Sequence, residues 1–534
     1  MPRRLWLSLA LLAIGAGLLA TARLAAAGPP SSGIFRVGMT GASVQIDPQV
    51  SYITTGWWLE HATAAKLYNW SDRGSKLVPE VASRVAISRN GRTYTFFLRR
   101  NFRFSDGSRV TATNFTYAID RVLSRDLASP GAAFITDPNG TNIVGAQAVN
   151  AGQATHARGV VVKGPYKLVI RLVRRDPTFI SKLTMPFFQA TSTTLPRTSE
   201  VTGAYPSAGP YYFSANEVNA LTSIRRNPHY GGTRARHLAG VDVQWGLNEE
   251  TAFHEVEANQ LDEGPIPAPE VLGVVNRYGI NKTRFWSKPT NCLGYVALNG
   301  RRPIFRRVAM RKAINWAVDR TALAGAAGPA LGTPWTHLLP PLFPGSIMKK
   351  RLQPYSVHPN LQKARKLAGD SVRKLRIRVA YRDTNAGQAQ AQGVRQELIE
   401  LGFKAQNITL VAFSGGAIYT AMGAQGSDLD MGVALGWCAE YPDAASLLSF
   451  FLETPFFVES QKYRDKLARV NRLSEPARTR ALGRLDLEIT NDLAPAAVLR
   501  TYNNRYFFSN RVDPHSLAYS GVYQDWSIPA LSLR

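Results

Sequence analysis

A single apolar run near the amino terminus, Leu5 to Ala20, most constrains what this chain can fold into, because no second long apolar run follows it in 534 residues. Arg3 and Arg4 precede the run, and Ala25-Ala26-Ala27 supplies small residues for cleavage before Gly28, the pattern of a secretory signal peptide. An uncleaved anchor would need about 20 apolar residues to cross a bilayer. This run is shorter, carries glycines and is closed by Arg23. Residues 1–27 are therefore expected to be removed on export. The remaining chain, roughly 500 residues, exceeds what one hydrophobic core organises, so two or more lobes are expected.

Hydrophobic residues make up 45% of the sequence, which suits a large folded protein with no transmembrane span beyond the leader. No low-complexity segment or short-period repeat suggests a solenoid. The formal net charge is +27, or +24 once the three arginines of the leader are set aside. Such a surface should associate with anionic lipid or cell-wall polymer at low salt. Nucleic acid is not the expected partner. The basic residues are dispersed, with short runs such as Arg225-Arg226 and Lys349-Lys350-Arg351 and no recognisable binding motif.

The coarse pattern is mixed α/β. Phe35 to Met39 reads as a short strand, with Ile46-Asp47-Pro48 ending the loop after it. Asn90-Gly91 reads as a hairpin turn between Val85-Ala86-Ile87 and the strand Thr93 to Leu98. Asp106-Gly107 makes a turn before Thr111, which is placed to cap a helix carrying Phe115, Ile119 and Val122 on one face. The run Val308 to Leu323 sets Met310, Ile314, Ala317 and Val318 on one face of a helix, and that face is expected to be core.

The stretch Trp437-Cys438-Ala439-Glu440-Tyr441-Pro442-Asp443 places an acid between two aromatics. A carboxylate against low-dielectric aromatic walls attracts an amine more strongly than it would in water. The same acid could equally be a buried structural partner of one of the many arginines. Cys292 and Cys438 are the only cysteines, and in an oxidising compartment an even pair is a disulfide candidate, two buried thiols being the alternative. No G-x-S-x-G elbow, H-E-x-x-H zinc motif or P-loop occurs, and His254-Glu255-Val256-Glu257 lacks a second histidine. His254 and His337 show no ligand spacing, so neither a metal nor another cofactor is expected.

Three segments resemble one family in the order it requires: Asn90 to Leu123, Gly209 to Tyr230, and Leu298 to Arg320. Together with the Trp-Cys-Ala-acid-Tyr run they make the chain similar to the peptide/nickel class (family 5) of extracellular solute-binding proteins, and within it to oligopeptide- and dipeptide-binding proteins of ABC importers. The resemblance implies an α/β, two-lobed periplasmic-binding-protein clamshell of type II, cluster C, with an extra subdomain. Residues 34–77, 190–290 and 508–534 would form the first lobe, 78–189 the subdomain and 291–507 the second lobe. It implies no catalysis, a monomer in the periplasm, and an ABC permease as partner. No cysteine near residue 28 offers an attachment site for the thioether lipid anchor of some relatives. A secreted hydrolase, or a chaperone or adhesin using the same clamshell, are the alternatives.

The resemblance also implies a site. Glu440 would anchor a ligand amine beside Trp437, with Tyr295 and Tyr502 contacting ligand from the second lobe and Tyr52 and Trp57 from the first. It pairs Cys292 with Cys438, closing a loop whose constraint on the unfolded chain is worth up to about 5 kcal/mol. Their Cα atoms are expected to lie about 4.4 to 6.8 Å apart. The relatives usually carry aspartate where this chain has Glu440, and the added methylene displaces the carboxylate by about 1.5 Å. No residue is nominated for a ligand carboxylate.

Overall fold

The computed structural model describes residues 33–534 other than 75, 139, 326, 327 and 329. The signal peptide expected over residues 1–27 lies outside the described residues. No helix among the described residues is long and apolar enough to cross a membrane.

A mixed sheet of ten strands runs through the molecule. From one edge its order is Ile408–Phe413, Ile377–Arg382, Met431–Cys438, Phe285–Leu298, Ala496–Phe508, Glu263–Gly264, Ile34–Gly38, Gly240–Gln244, Leu221–Arg226 and Tyr211–Glu217. The two central strands, of 14 and 13 residues, pair antiparallel with each other and join the two halves of the sheet. Their ladder is irregular between Pro289 and Leu293, where proline has no N–H to give.

Alternation along these strands sorts side chains onto two faces. Tyr295, Ala380 and Leu435 pack in one core under the helices Ala444–Glu453 and Ala477–Glu488. Val296 and Val379, the neighbours of Tyr295 and Ala380, pack in another under Val308–Ala317 and Asn385–Leu401, together with Val433, which lies two residues before Leu435 and reaches this face because Ala434, at φ +57°, breaks the alternation. The other half of the sheet buries Phe35, Val37, Val241 and Val243 against Trp58 and Leu59 of the helix Thr54–Thr63. A separate four-stranded sheet, in the order Ala82–Ile87, Thr93–Leu98, Lys167–Arg171, Val160–Val162, has its own core.

Local chemistry accounts for these elements. The expected hairpin forms, with Gly91 at φ +68° in its turn. The helix after Thr111 spans Ala112–Val122, and the Thr111 N–H donates to Asn114 Oδ1 at 2.8 Å. Phe115, Ile119 and Val122 face the core as the spacing requires. The helix expected from Val308 to Leu323 is interrupted. It ends at Ala317, Val318 turns to extended backbone, and Asp319 Oδ1 accepts N–H groups of Thr321 and Ala322 at 2.9 and 3.0 Å to start the helix Arg320–Gly325.

Candidate functional site

The strand Met431–Cys438 ends at a turn that is fixed from both sides. Behind it Cys438 is joined to Cys292, the residue directly opposite in the adjacent antiparallel strand. The Cα atoms are 3.9 Å apart, closer than expected for bridges in general, because facing residues of paired strands already approach to about 4.5 Å. Ahead of the turn, Asp443 Oδ1 accepts the Ala445 N–H at 2.9 Å and so caps the helix Ala444–Glu453. Arg478 grips both Asp443 oxygens at 2.7 and 2.8 Å. An arginine is thus present, but its partner is Asp443 and not Glu440.

Glu440 is held by neutral donors. Its Oε1 accepts from Tyr52 Oη at 3.0 Å and from Trp437 Nε1 at 2.9 Å, and its Oε2 accepts from Ser446 Oγ. Among the described residues no lysine or arginine forms an ion pair with it. Burial pushes the Glu440 carboxyl up from the ordinary 4.5, while the hydrogen bonds of Ser446, Trp437 and Tyr52 act the other way. Burial, followed by the Glu440 charge, raises the Tyr52 hydroxyl well above its ordinary value, so Tyr52 remains a donor.

Two cavities meet at this group. The larger, about 760 Å³, is walled by Phe134, Tyr419, Tyr441, Phe450 and Phe456, with Asp137, Lys182 and Glu453 among its polar groups. The smaller, about 350 Å³, is lined by Ile53, Trp57, Arg382, Cys438 and Gln524. Tyr52, Tyr419, Trp437 and Glu440 line both, so the hydrogen-bonded Tyr52–Glu440–Trp437 group forms a partition. Ring contacts join segments distant in sequence around these cavities: Tyr52 meets Trp437 edge-on at 6.2 Å, and Phe134 meets Tyr441 edge-on at 6.4 Å.

The remaining sequence-derived residues fall in different places. Trp57 lines the smaller cavity and donates to the Ser51 carbonyl at 2.9 Å, whereas Trp58 is core. Tyr295 does not reach either cavity wall. It is fully buried among Phe450, Phe451 and Phe457, with its hydroxyl 3.5 Å from that of Tyr419, because the sheet's alternation turns it into the core. Tyr419, which donates to the Gly436 carbonyl at 2.6 Å, occupies the wall in front of it. Tyr502 lines neither cavity. Its ring lies over Gly294 and Gly436, where an added Cβ would meet it at 3.1 Å.

Sequence reasoning did not select Tyr419, Ser446, Glu453 or Arg382. Ser446, Phe450 and Glu453 recur at helical spacing after the Asp443 cap, so that signal was available. Arg382 gave none. It ends the strand Ile377–Arg382, lines the smaller cavity, and its Nε has no hydrogen-bond partner among the described residues.

Comparison with known proteins identifies the family and the fold. The model of "Bacterial extracellular solute-binding proteins, family 5 Middle" matches residues 76–456. The "Probable deoxycholate-binding periplasmic protein YgiS" of Escherichia coli is 26% identical over 287 residues, covering 52% of this chain and 51% of that protein. The "Oligopeptide-binding protein OppA" of Bacillus subtilis is 24% identical over 284 residues, covering 50% of this chain and 49% of that protein. The chain thus spans about half the length of each. Among solved structures, a periplasmic oligopeptide-binding protein of Borrelia burgdorferi superposes with a TM-score of 0.79 at 18% identity, covering 94% of this chain and all of that one, which carries the two-lobed fold.

Proposed function

This chain belongs to the bacterial extracellular solute-binding proteins of family 5, and from that premise we propose that it captures a peptide, or another small ligand bearing an amine, between two lobes and delivers it to the permease of an ABC importer. The observation that carries the reading is Glu440: a carboxylate held by three neutral donors, with no ion-pair partner among the described residues, on the wall shared by two cavities. A ligand amine supplies the missing charge. Tyr52, Trp437, Tyr419 and Trp57 give aromatic walls to the ligand's apolar parts, while Tyr295 and Tyr502 support that wall from behind. Arg382 is the proposed partner of a ligand carboxylate, because it lines the smaller cavity and its buried Nε has no acceptor among the described residues.

The cycle involves no bond-making. The open cleft loads on one lobe, closure brings Glu440 against Tyr52, and the permease reads the closed form. The lobes are taken as 34–77, 190–290 and 508–534 against 291–507, with 78–189 as a subdomain of the first. Pairing of Pro289 with Asn503 supports a return crossing near Asn503 and not as late as 507. A monomer processed at Gly28 and free in the periplasm completes the proposal. The name of one relative, deoxycholate-binding, makes a steroid acid the competing cargo. Native mass spectrometry of protein purified from the periplasm without denaturation tests the reading. A mass excess that fragments as a peptide or other amine is expected. Cargo that lacks an amine overturns the assignment of Glu440.

A further inference from the structure

The larger chamber differs in character from the protein that contains it. The chain as a whole carries +27, yet Asp137, Glu440 and Glu453 line this cavity against Lys182 alone. Lys182 is already matched: its Nζ donates to Asp176 Oδ2 at 3.1 Å and to Thr141 Oγ1 at 2.9 Å, and lies 5.4 Å from the centre of the Tyr441 ring. Glu453 has neither a hydrogen bond nor an ion pair among the described residues, although it stands at the end of a helix and is exposed in the cavity. Its surface is open to the chamber, yet enclosure by the chamber walls and then the negative charge of Asp137 raise its carboxyl to about 7, with Glu440 adding to the effect and Lys182 and Arg464 opposing it. Aromatic rings line the chamber together with these acids: Trp437 and Phe450, stacked on each other with centroids 4.2 Å apart, and Phe134. An aromatic-lined chamber with three carboxyl groups and one lysine that is already paired favours a cation over an anion.

We propose that the larger chamber receives a basic side chain, so that the captured ligand carries two cations, an amine on Glu440 and a second positive group beside Glu453. This deepens the capture reading above and rests on it. The peptide's own carboxylate then faces the smaller cavity, and selectivity comes from the chamber that holds the side chain. A surface rich in arginine and lysine does not recruit such a ligand by long-range attraction. The chamber must therefore supply the recognition at short range.

Calorimetry with two tripeptides tests this: Lys-Ala-Ala and its neutral counterpart norleucine-Ala-Ala, titrated into the wild-type protein and into Glu453→Gln. Glu453 is exposed at a helix end, so the variant is expected to fold, which its thermal melt checks. Lys-Ala-Ala should bind about tenfold or more tighter than the norleucine peptide to wild type, with the ratio falling to within about threefold in Glu453→Gln. Equal affinities, or a preference that survives in Glu453→Gln, overturn the proposal. If neither tripeptide binds, the peptide reading falls, and cadaverine decides the chamber's chemistry separately. Binding of this diamine that is lost in Glu453→Gln supports a cation chamber, and no binding to wild type overturns it.

Discussion

At the scale of single residues, Glu440 distinguishes a ligand anchor from a structural acid. Its three partners are neutral donors, so Glu440→Gln removes a charge without stranding another. The variant is expected to melt close to wild type while losing about 2 to 5 kcal/mol of ligand binding, a factor of roughly 30 to several thousand, in calorimetry. A variant that melts far lower, with affinity intact, would refute the anchor. The pH dependence has opposite signs for folding and for binding. Because burial raises the Glu440 pKa, the folded state holds this proton more tightly, and the stabilisation present below the ordinary 4.5 is lost as pH rises through the folded value. Amine binding needs the ionised form, so affinity is expected to fall as pH drops through the same window. The local sequence made Glu440 and Trp437 legible, because an acid beside tryptophan is unusual in itself. Arg382 and Tyr419 were not, since their place at the site depends on strand neighbours distant in sequence. Tyr295 was placed by resemblance at the ligand, but the pleat turned it inward.

At the scale of elements, short-range codes were readable and register was not. The Asn90-Gly91 hairpin and the Thr111 helix start follow from residues within a turn of each other. The run Val308 to Leu323 looked continuous because periodicity ignores the competing cap at Asp319. The helix behind that break supplies a pH test. In Asn385–Leu401, Glu397 accepts the Asp319 N–H at 2.8 Å with one oxygen, and its other oxygen is buried without a partner. Burial, then the Asp319 charge, moves its carboxyl up to about 8, with Arg320 opposing and Glu400 adding. The unfolded chain loses this proton near the ordinary 4.5, so stability contributed by Glu397 is full below that value and declines until about 8. Glu397→Gln keeps an acceptor for Asp319 and has nothing to titrate. Denaturant melts should show wild type losing about 2 kcal/mol relative to the variant between pH 5 and pH 7, and equal slopes would disprove the assignment. The bridge is likewise a register effect. Cys292 and Cys438 are facing residues of paired strands, so thiol titration in denaturant, without reductant, should find none free. Reduction should cost about 2 to 4 kcal/mol, below the full chain-entropy value, since pairing keeps the two strands together.

At the scale of the whole molecule, length implied two or more lobes and the resemblance carried by three ordered segments implied the fold class, but the closing of the cleft was not legible. That property depends on how two bodies meet, and a sequence carries no local signal for it. In the structure the contacts between the two proposed lobes include a hydrogen bond to a carboxylate, Tyr52 to Glu440, the Tyr52–Trp437 and Phe134–Tyr441 ring contacts, and Lys182 over the Tyr441 ring at 5.4 Å. A hydrogen bond to a charged group is worth about 1.5 to 3 kcal/mol, whereas an edge-on ring pair adds about 0.5 to 1.5 kcal/mol. Tyr52 therefore supplies a large share of closure, and it does so at the acid proposed to bind a ligand amine. Tyr52→Phe keeps the ring and deletes the bond. It should shift the unliganded population toward the open form by about 10- to 100-fold, visible as a larger radius of gyration in small-angle scattering. Saturating ligand should restore the compact form, because the amine on Glu440 and the walls of both cavities supply contacts that exist only when the cleft is shut. Affinity should drop by no more than the closed population does, since the ligand then bears the cost of closure that Tyr52 had covered. Unliganded Tyr52→Phe with an unchanged radius of gyration would mean that the cleft is held shut by its aromatic contacts alone.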